Sequence, residues 1–334
     1  MIATAQRVAE DFVGPVTAVT PFGAGHINDT FLVETAAGEY VLQRLNLTVF
    51  EDPDAMTANI LVLHRHLRGA FMPEPVAASS GGWLVRDPSG PWRAWRRVAG
   101  TPLAAADASP DEVRAAAALL GRFHGLLADL DPADLTETLP GFHDPGRRLD
   151  DLRAVIAADP CRRVTSVEEE IGMASDAEPL VAAAAEFTSR VPRRVAHFDA
   201  KLDNILFDGG DAVALVDFDT VMPGAWFWDI GDLLRSGATA AAEDDPHPER
   251  AVVVPERYRA IVDGYRDGLA AAGVVHPAEL EAVEVAGAIV TYEQAVRFLT
   301  DWIAGDVYYR ISRPTQNLDR TRAQFRLLAS MPRP

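Results

Sequence analysis

The chain has 334 residues, 48% of them hydrophobic and 24% charged, which supplies enough apolar side chains for large cores and argues against disorder. At roughly 100–200 residues per domain this length leads us to expect two domains. Against 31 basic residues stand 49 acidic ones, a net charge of −18 that disfavours nucleic acid and anionic lipid as partners and serves solubility first. No apolar run approaches the ~18 residues of a membrane span. The opening MIATAQRVAEDF lacks the basic-then-apolar order of a signal peptide, and the single cysteine, Cys161, closes no internal disulfide and makes no structural zinc site, so a cytoplasmic location is expected. One lysine, Lys201, stands among 31 basic residues; the rest are arginines.

In chain order, TAVTPF (17–22), DTFLVET (29–35) and EYVLQRL (39–45) are β-branched and aromatic runs, the last two joined by an AAG turn. The pattern predicts a helix over 53–69, with Pro53 in its first turn and Gly69 at its end. Strands follow at GWLVRD (82–87) and PWRAWRRV (91–98), so the first third reads as a small sheet carrying one helix. Beyond residue 100 helices dominate, at 109–129, 147–158, 166–190, 255–273, 277–303 and 315–330, with the alanine-rich stretches 104–118 and 182–185 read as helical. One island interrupts them: within 194–220, NILF and AVALVDF form a hairpin around a GGD turn. Residues 241–250, AAEDDPHPER, read as an acidic surface loop. The pattern is α+β, divided at 1–97 and 98–334.

The chemistry gathers on that island. In His197-Phe-Asp199-Ala-Lys201-Leu-Asp203-Asn204, followed by Asp217-Phe-Asp219, a loop carboxylate at Asp199 is placed to accept a hydroxyl proton. Asn204 and Asp217 are hard oxygen donors that a hairpin brings onto one divalent ion. Lys201 adds a cation beside the carboxylate. Base, metal ligands and cation are the components of phosphoryl transfer, and the order H-x-D-x-K-x-x-N then D-x-D is the catalytic-loop pattern of protein kinases and their small-molecule relatives. His197 is read as structural, bonding the loop backbone, and Asp229 as the cap of the next helix that also steadies the loop. A second feature, Gly23-Ala-Gly25-His26-Ile-Asn28-Asp29, lies between the first two strands, where glycines permit a turn whose amides approach phosphates.

These motifs resemble the aminoglycoside phosphotransferase and choline kinase superfamily over essentially the full length. The likeness is narrower to the N-acetylhexosamine 1-kinases, through GAGHINDTFLVE (23–34), YVLQRLN with VF (40–50), HFDAKLDNILFD, VDFDTVMPG (216–224), and RFLTDWIAGDVYY with QNLDR (297–320). The resemblance implies a bilobal, protein-kinase-like fold, ATP and magnesium as cofactors, Asp199 as the base, and Asn204 and Asp217 as magnesium holders, with Asp219 assisting the metal or positioning the loop. It places Gly23, Gly25 and Asn28 at the nucleotide, and His26, Arg297, Asp301 and Tyr308 with Asp199 at the sugar.

One departure concerns the strand lysine that kinases use for the nucleotide phosphates: no lysine precedes Lys201. Gln43 and Arg44 occupy that region, and strand alternation turns only one of them toward the nucleotide. A neutral Gln43–Asn59 pair is expected in place of the usual ion pair. Arg297 and Asp301 lie four apart on one helical face, which fits either a sugar site or a plain surface ion pair. Trp226 and Trp228 fit the core better than the acceptor pocket. The function expected is an ATP-dependent kinase of the anomeric hydroxyl of an N-acetylhexosamine or related hexose. The alternatives are an aminoglycoside or amino-alcohol kinase and a nucleotide-binding pseudokinase.

Overall fold

The computed structural model describes residues 1–23, 27–273 and 275–332. Helix α1, Ile2–Val13, lies in a stretch read as strand-like; Ala5, Val8, Ala9 and Phe12 recur at three- and four-residue spacing and are buried together. It covers the outer face of a sheet built from β1 (Ala18–Pro21), β2 (Asp29–Thr35) and β3 (Gly38–Arg44). Helix α2, Pro53–Leu67, follows; the Asp52 carboxylate caps it by accepting the Ala55 N–H at 2.9 Å. The sheet is completed by β4 (Pro75–Val76), β5 (Val85–Asp87) and β6 (Gly90–Arg96), in the order β1-β2-β3-β6-β4 with β5 on β6.

Alternation decides what each face does. Phe31, Val33, Leu42, Trp92 and Ala94 point to α1, whereas Trp95 joins α2 residues Met56, Ile60 and Leu63 in the main core. Gln43 pairs with Arg93 in the β3–β6 register, so both side chains occupy this inner face.

The remaining elements are β7 (Thr101–Pro102), α3 (Pro110–Leu126), α4 (Pro145–Ala158), α5 (Glu168–Asp176), α6 (Pro179–Arg190), β8 (Arg194–Ala196), β9 (Ile205–Asp208), β10 (Asp211–Leu215), β11 (Met222–Gly224), α7 (Trp226–Gly237), α8 (Pro255–Ala270), α9 (Pro277–Ala304) and α10 (Gln316–Ser330). The expected helix at 166–190 is two helices, because Pro179 has no N–H to continue the first and is suited to open the second. The alanines at 104–106 stay outside a helix; α3 starts only past a capping box in which Ser109 and Glu112 bond each other's backbone. Gly121 and Gly268 let α3 and α8 touch, since a Cβ on Gly268 would lie 2.4 Å from the Ala118 carbonyl. Two short ladders carry the 194–220 island: β8 pairs β11, and β9 lies between β10 and β7. The architecture is therefore a sheet-rich N-terminal region followed by a helical one, with the main core running from Leu45 and Met56 through α3, α7 and α9. Among the described residues no helix is long and apolar enough to cross a membrane.

Candidate active site

The loop after β8 is held from behind. Phe198 adopts φ 66°, a left-handed conformation that costs an aromatic residue energy. The Asp229 carboxylate sustains it by accepting the N–H of His197 and of Phe198, each at 2.7 Å. His124 bonds the same carboxylate at 2.8 Å through Nε2 and the Tyr265 hydroxyl at 2.8 Å through Nδ1, stacked flat on Trp226. Asp229 is not the helix cap: Ala225 is, and Asp229 sits inside the first turn of α7. His197 is buried, which drives its pKa down against the opposing pull of Asp229 and Asp199. A neutral ring with Nε2 donating to the Val216 carbonyl at 3.0 Å leaves Nδ1 to accept the Asp199 N–H at 3.3 Å. Trp226 and Trp228 are core residues.

This frame leaves the Asp199 carboxylate partly exposed beside Lys201. Lys201 Nζ bonds both carboxylate oxygens at 3.1 and 3.0 Å, and Asn204 Nδ2 reaches Oδ2 at 2.8 Å and the Asp199 carbonyl at 2.8 Å. Burial alone raises the carboxyl pKa, but Lys201, His197 and Asn204 outweigh it and hold Asp199 below its usual value. Burial likewise opposes the Lys201 charge, and Asp199, Asp217, Glu243 and Asp232 more than restore it. With its Nδ2 committed, Asn204 offers Oδ1 as the remaining donor atom. Its carbonyl accepts the Val216 N–H at 2.9 Å, which fixes the spacing to Asp217.

Asp217 is left-handed at φ 66° and keeps solvent contact. Loss of hydration there, followed by the carboxylates of Asp219 and Asp199, pushes it up to about 7. Crowded carboxylates with one amide oxygen form a hard-oxygen donor set that calls for a cation. The residues present therefore fit a divalent cation such as magnesium, which Asn204 Oδ1 and Asp217 would hold. Among the described residues no three His, Cys, Asp or Glu side chains converge as a resident metal cage; magnesium held by one or two carboxylates and substrate phosphates needs none.

Asp219 is directed elsewhere. Its carboxylate is ion-paired with Arg93 of β6 and accepts Asn28 Nδ2, just before β2, at 2.7 Å. Arg93 also spans Gln43 Oε1 through Nε at 3.0 Å and Nη2 at 2.8 Å, and Trp95 Nε1 reaches the same oxygen at 3.0 Å. The expected Gln43–Asn59 pair is thus absent. Gln43 is spent on its cross-strand neighbours, and Asn59 bonds the carbonyls of Thr136 and Val221 and the Thr136 N–H, tying α2 to the helical region. Arg44 points to the opposite face, onto Asp29 and the Ser89 carbonyl. It lines a cavity of about 400 Å³ with Asn28, Leu47 and Arg310 that flanks, and does not include, Asp199, Asn204 or Asp217. Gly23 is exposed at φ 75°, as a tight turn requires. Gly25 and His26 lie outside the described residues.

Of Arg297, Asp301 and Tyr308, the structure brings the first and the last together and turns Asp301 away from Arg297. Arg297 sits among the rings of Phe142, Tyr308 and Tyr309, with Nη1 3.3 Å from Gln294 Oε1, and forms no ion pair with Asp301. Asp301 is buried and turned inward. Its oxygens accept the N–H groups of Val307 (2.8 Å), Tyr308 (2.8 Å) and Tyr309 (2.9 Å) and Asn317 Nδ2 (2.8 Å). Four donors exhaust a carboxylate, so Asp301 shapes the 305–309 loop and has nothing left for a sugar hydroxyl. Tyr308 is exposed on that loop. Sequence reasoning missed His143: stacked between Phe198 and Trp228, it bonds the Phe198 carbonyl at 3.3 Å and Glu293 at 2.7 Å.

A sheet-first, kinase-like α+β fold with a carboxylate, a lysine and an oxygen-donor hairpin on one loop is the framework of a small-molecule phosphotransferase. The family model described as "Phosphotransferase enzyme family" (APH) matches residues 18–273, and the chain belongs to that family. Among solved structures, it is similar in fold to an aminoglycoside phosphotransferase from Alicyclobacillus acidocaldarius (17% identity, 98% of this chain and 94% of that one, TM-score 0.65). Spectinomycin phosphotransferase APH(9)-Ia, solved with ADP and spectinomycin, matches at 11% identity, 100% and 95% coverage and TM-score 0.60. The streptomycin–ATP complex of APH(2'')-IIa matches at 15% identity, 99% and 98% coverage and TM-score 0.58.

Proposed function

We propose that this phosphotransferase is an ATP-dependent sugar kinase that phosphorylates the anomeric hydroxyl of an N-acetylhexosamine or related hexose. The observation that carries the reading is the Asp199 carboxylate, held ionised by Lys201 and Asn204 at the mouth of a loop whose backbone Asp229 has fixed. Asp199 takes the proton of the acceptor hydroxyl as its oxygen attacks the γ-phosphorus in line, and the bond to ADP breaks. Lys201 offsets charge on the transferring group. Magnesium on Asn204 and Asp217 would neutralise the nucleotide phosphates. Positioning and fixed charge supply most of the rate. The segments 1–97 and 98–334 act in this reading as a nucleotide-binding and an acceptor-binding part, with ATP between them.

For the sugar, support comes from the motif resemblance and from Arg297, a donor-rich cation walled by Phe142, Tyr308 and Tyr309, which suits hydroxyl groups on an apolar ring face. A second reading, a cationic aminoglycoside acceptor, is favoured by Glu243, whose carboxylate contributes to the field at Lys201; its pairing with Arg235 weakens that case. Phosphorus NMR after incubation with magnesium-ATP separates them. N-acetylglucosamine or N-acetylgalactosamine should give a sugar 1-phosphate doublet coupled to the anomeric proton. A kanamycin phosphate with no sugar product would transfer the assignment to antibiotic modification.

A further inference from the structure

Kinases of this fold class need a cation from the sheet to register the nucleotide phosphates against the catalytic loop, and this chain has no lysine in its sheet to supply one. Arg93 is the buried cation on the inner face of the sheet, at the centre of β6 and only 4% exposed. It is cross-strand partner to Gln43 and ion-paired across to Asp219, two residues from Asp217. Its Nη1 is buried with no hydrogen-bond partner among the described residues, and Asp219 Oδ1 has the ion pair but no well-aligned hydrogen bond. Orphaned donors are rare inside proteins and mark contacts made with something further. From the other side Asn28, the residue before β2, donates to Asp219 Oδ2 and accepts the Asn46 N–H at 3.0 Å. The two N-terminal side chains therefore grip one carboxylate of the metal hairpin.

We propose that Arg93 and Asn28 are positioning residues that clamp Asp219, coupling the nucleotide-side sheet to the Asn204–Asp217 metal pair, and that Arg93 does the work of the missing strand lysine. Asp219 is then a coupling residue and not a metal ligand. This rests on the kinase reading above. A guanidinium suits the task because its fork holds Gln43 and Asp219 at once and keeps both Nη1 N–H donors to spare.

The test is calorimetric titration of the intact chain with ADP over a series of magnesium concentrations, which needs no acceptor. Arg93→Met should weaken magnesium-ADP binding about tenfold or more, the scale of one hydrogen bond to a charged group. Arg93→Lys should recover part of that loss. Asn28→Ala, a half-buried change that spares the core, should weaken binding roughly threefold. Both Arg93→Met and Asn28→Ala should raise the magnesium concentration needed for half-maximal binding, which Asp301→Ala, a fold-destabilising control, should leave unchanged. If wild type binds ADP with magnesium and all of these variants match it, the clamp is overturned while the kinase reading stands. If wild type binds neither ADP nor ATP with magnesium, the kinase reading falls and takes the clamp with it.

Discussion

Asp229 and Phe198 are joined by a 2.7 Å hydrogen bond from the Phe198 N–H to Asp229 Oδ1, and this contact holds the residue before Asp199 in its left-handed turn. The other oxygen takes the His197 N–H and His124. Burial raises the Asp229 pKa, and the hydrogen bond and charge of His124, then His197, outweigh it, so the folded value lies below the usual carboxylate range. A carboxyl depressed on folding stabilises above its unfolded pKa of ~4, and that stability is lost as pH falls through the folded value. Glu293, lowered by His143 against the same burial penalty, has the same sign.

Asp229→Asn should therefore cost about 2 kcal/mol at pH 7, because an amide offers one oxygen where two backbone N–H groups need acceptors. The difference from wild type should narrow as pH falls from ~4, where the unfolded chain takes up the proton, through the lower folded value, where the native carboxylate takes it too. Urea unfolding from pH 3 to pH 8 reads both effects. A difference that widens in acid would assign the wrong charge state to the pair.

Asp199→Asn tests the base. With Lys201 and Asn204 retained, turnover should fall ~10²–10⁴-fold while magnesium-ADP affinity changes little. A loss of less than tenfold would leave Asp199 a shaping role only.

How far this site was legible follows from the kind of signal each residue gives. Asp199, Lys201, Asn204 and Asp217 share one loop and hairpin, so local spacing places them together. Strands such as Asp29–Thr35 were legible because alternation fixes a face. Arg93 was not: PWRAWRR offers three arginines, and only the register of β6 against β3 says which of them turns inward. Asp301 shares a helical face with Arg297, but spacing on a helix does not say whether a carboxylate faces the cleft or the backbone of the next loop. Helix α1 left a readable trace in Ala5, Val8 and Phe12, which the strand-rich stretch after it masked.

That inward turn of Asp301 has a measurable consequence. Asp301→Ala would leave three backbone N–H groups without their acceptor and Asn317 Nδ2 with Asp306 alone, costing about 3 kcal/mol or more. The released 305–309 loop carries Tyr308 and Tyr309, so KM for the acceptor should rise while KM for ATP stays the same. A residue that touched only the substrate would raise the same KM without moving Tm. Differential scanning calorimetry beside the kinetics separates these cases.

Gly224 supplies the last test, because it ends β11 directly against the Phe198 ring. A Cβ at this position would lie 2.0 Å from Phe198 Cζ and 2.5 Å from Cε2, well inside contact distance. Phe198 has little room to yield: His143 stacks on its ring, and Asp229 and His143 hold its N–H and carbonyl. In a close-packed interior such overpacking costs roughly 1–3 kcal/mol, and here the strain falls on the residue that aims Asp199. Gly224→Ala should therefore lower kcat by tenfold or more, with a comparatively small rise in KM for ATP, since a misplacement of about 1 Å costs ~10²-fold in rate. Phe198→Leu in the same chain makes room for the new methyl and should return part of the lost turnover. A Gly224→Ala enzyme as active as wild type would mean that the catalytic loop does not depend on the Phe198 ring for its position.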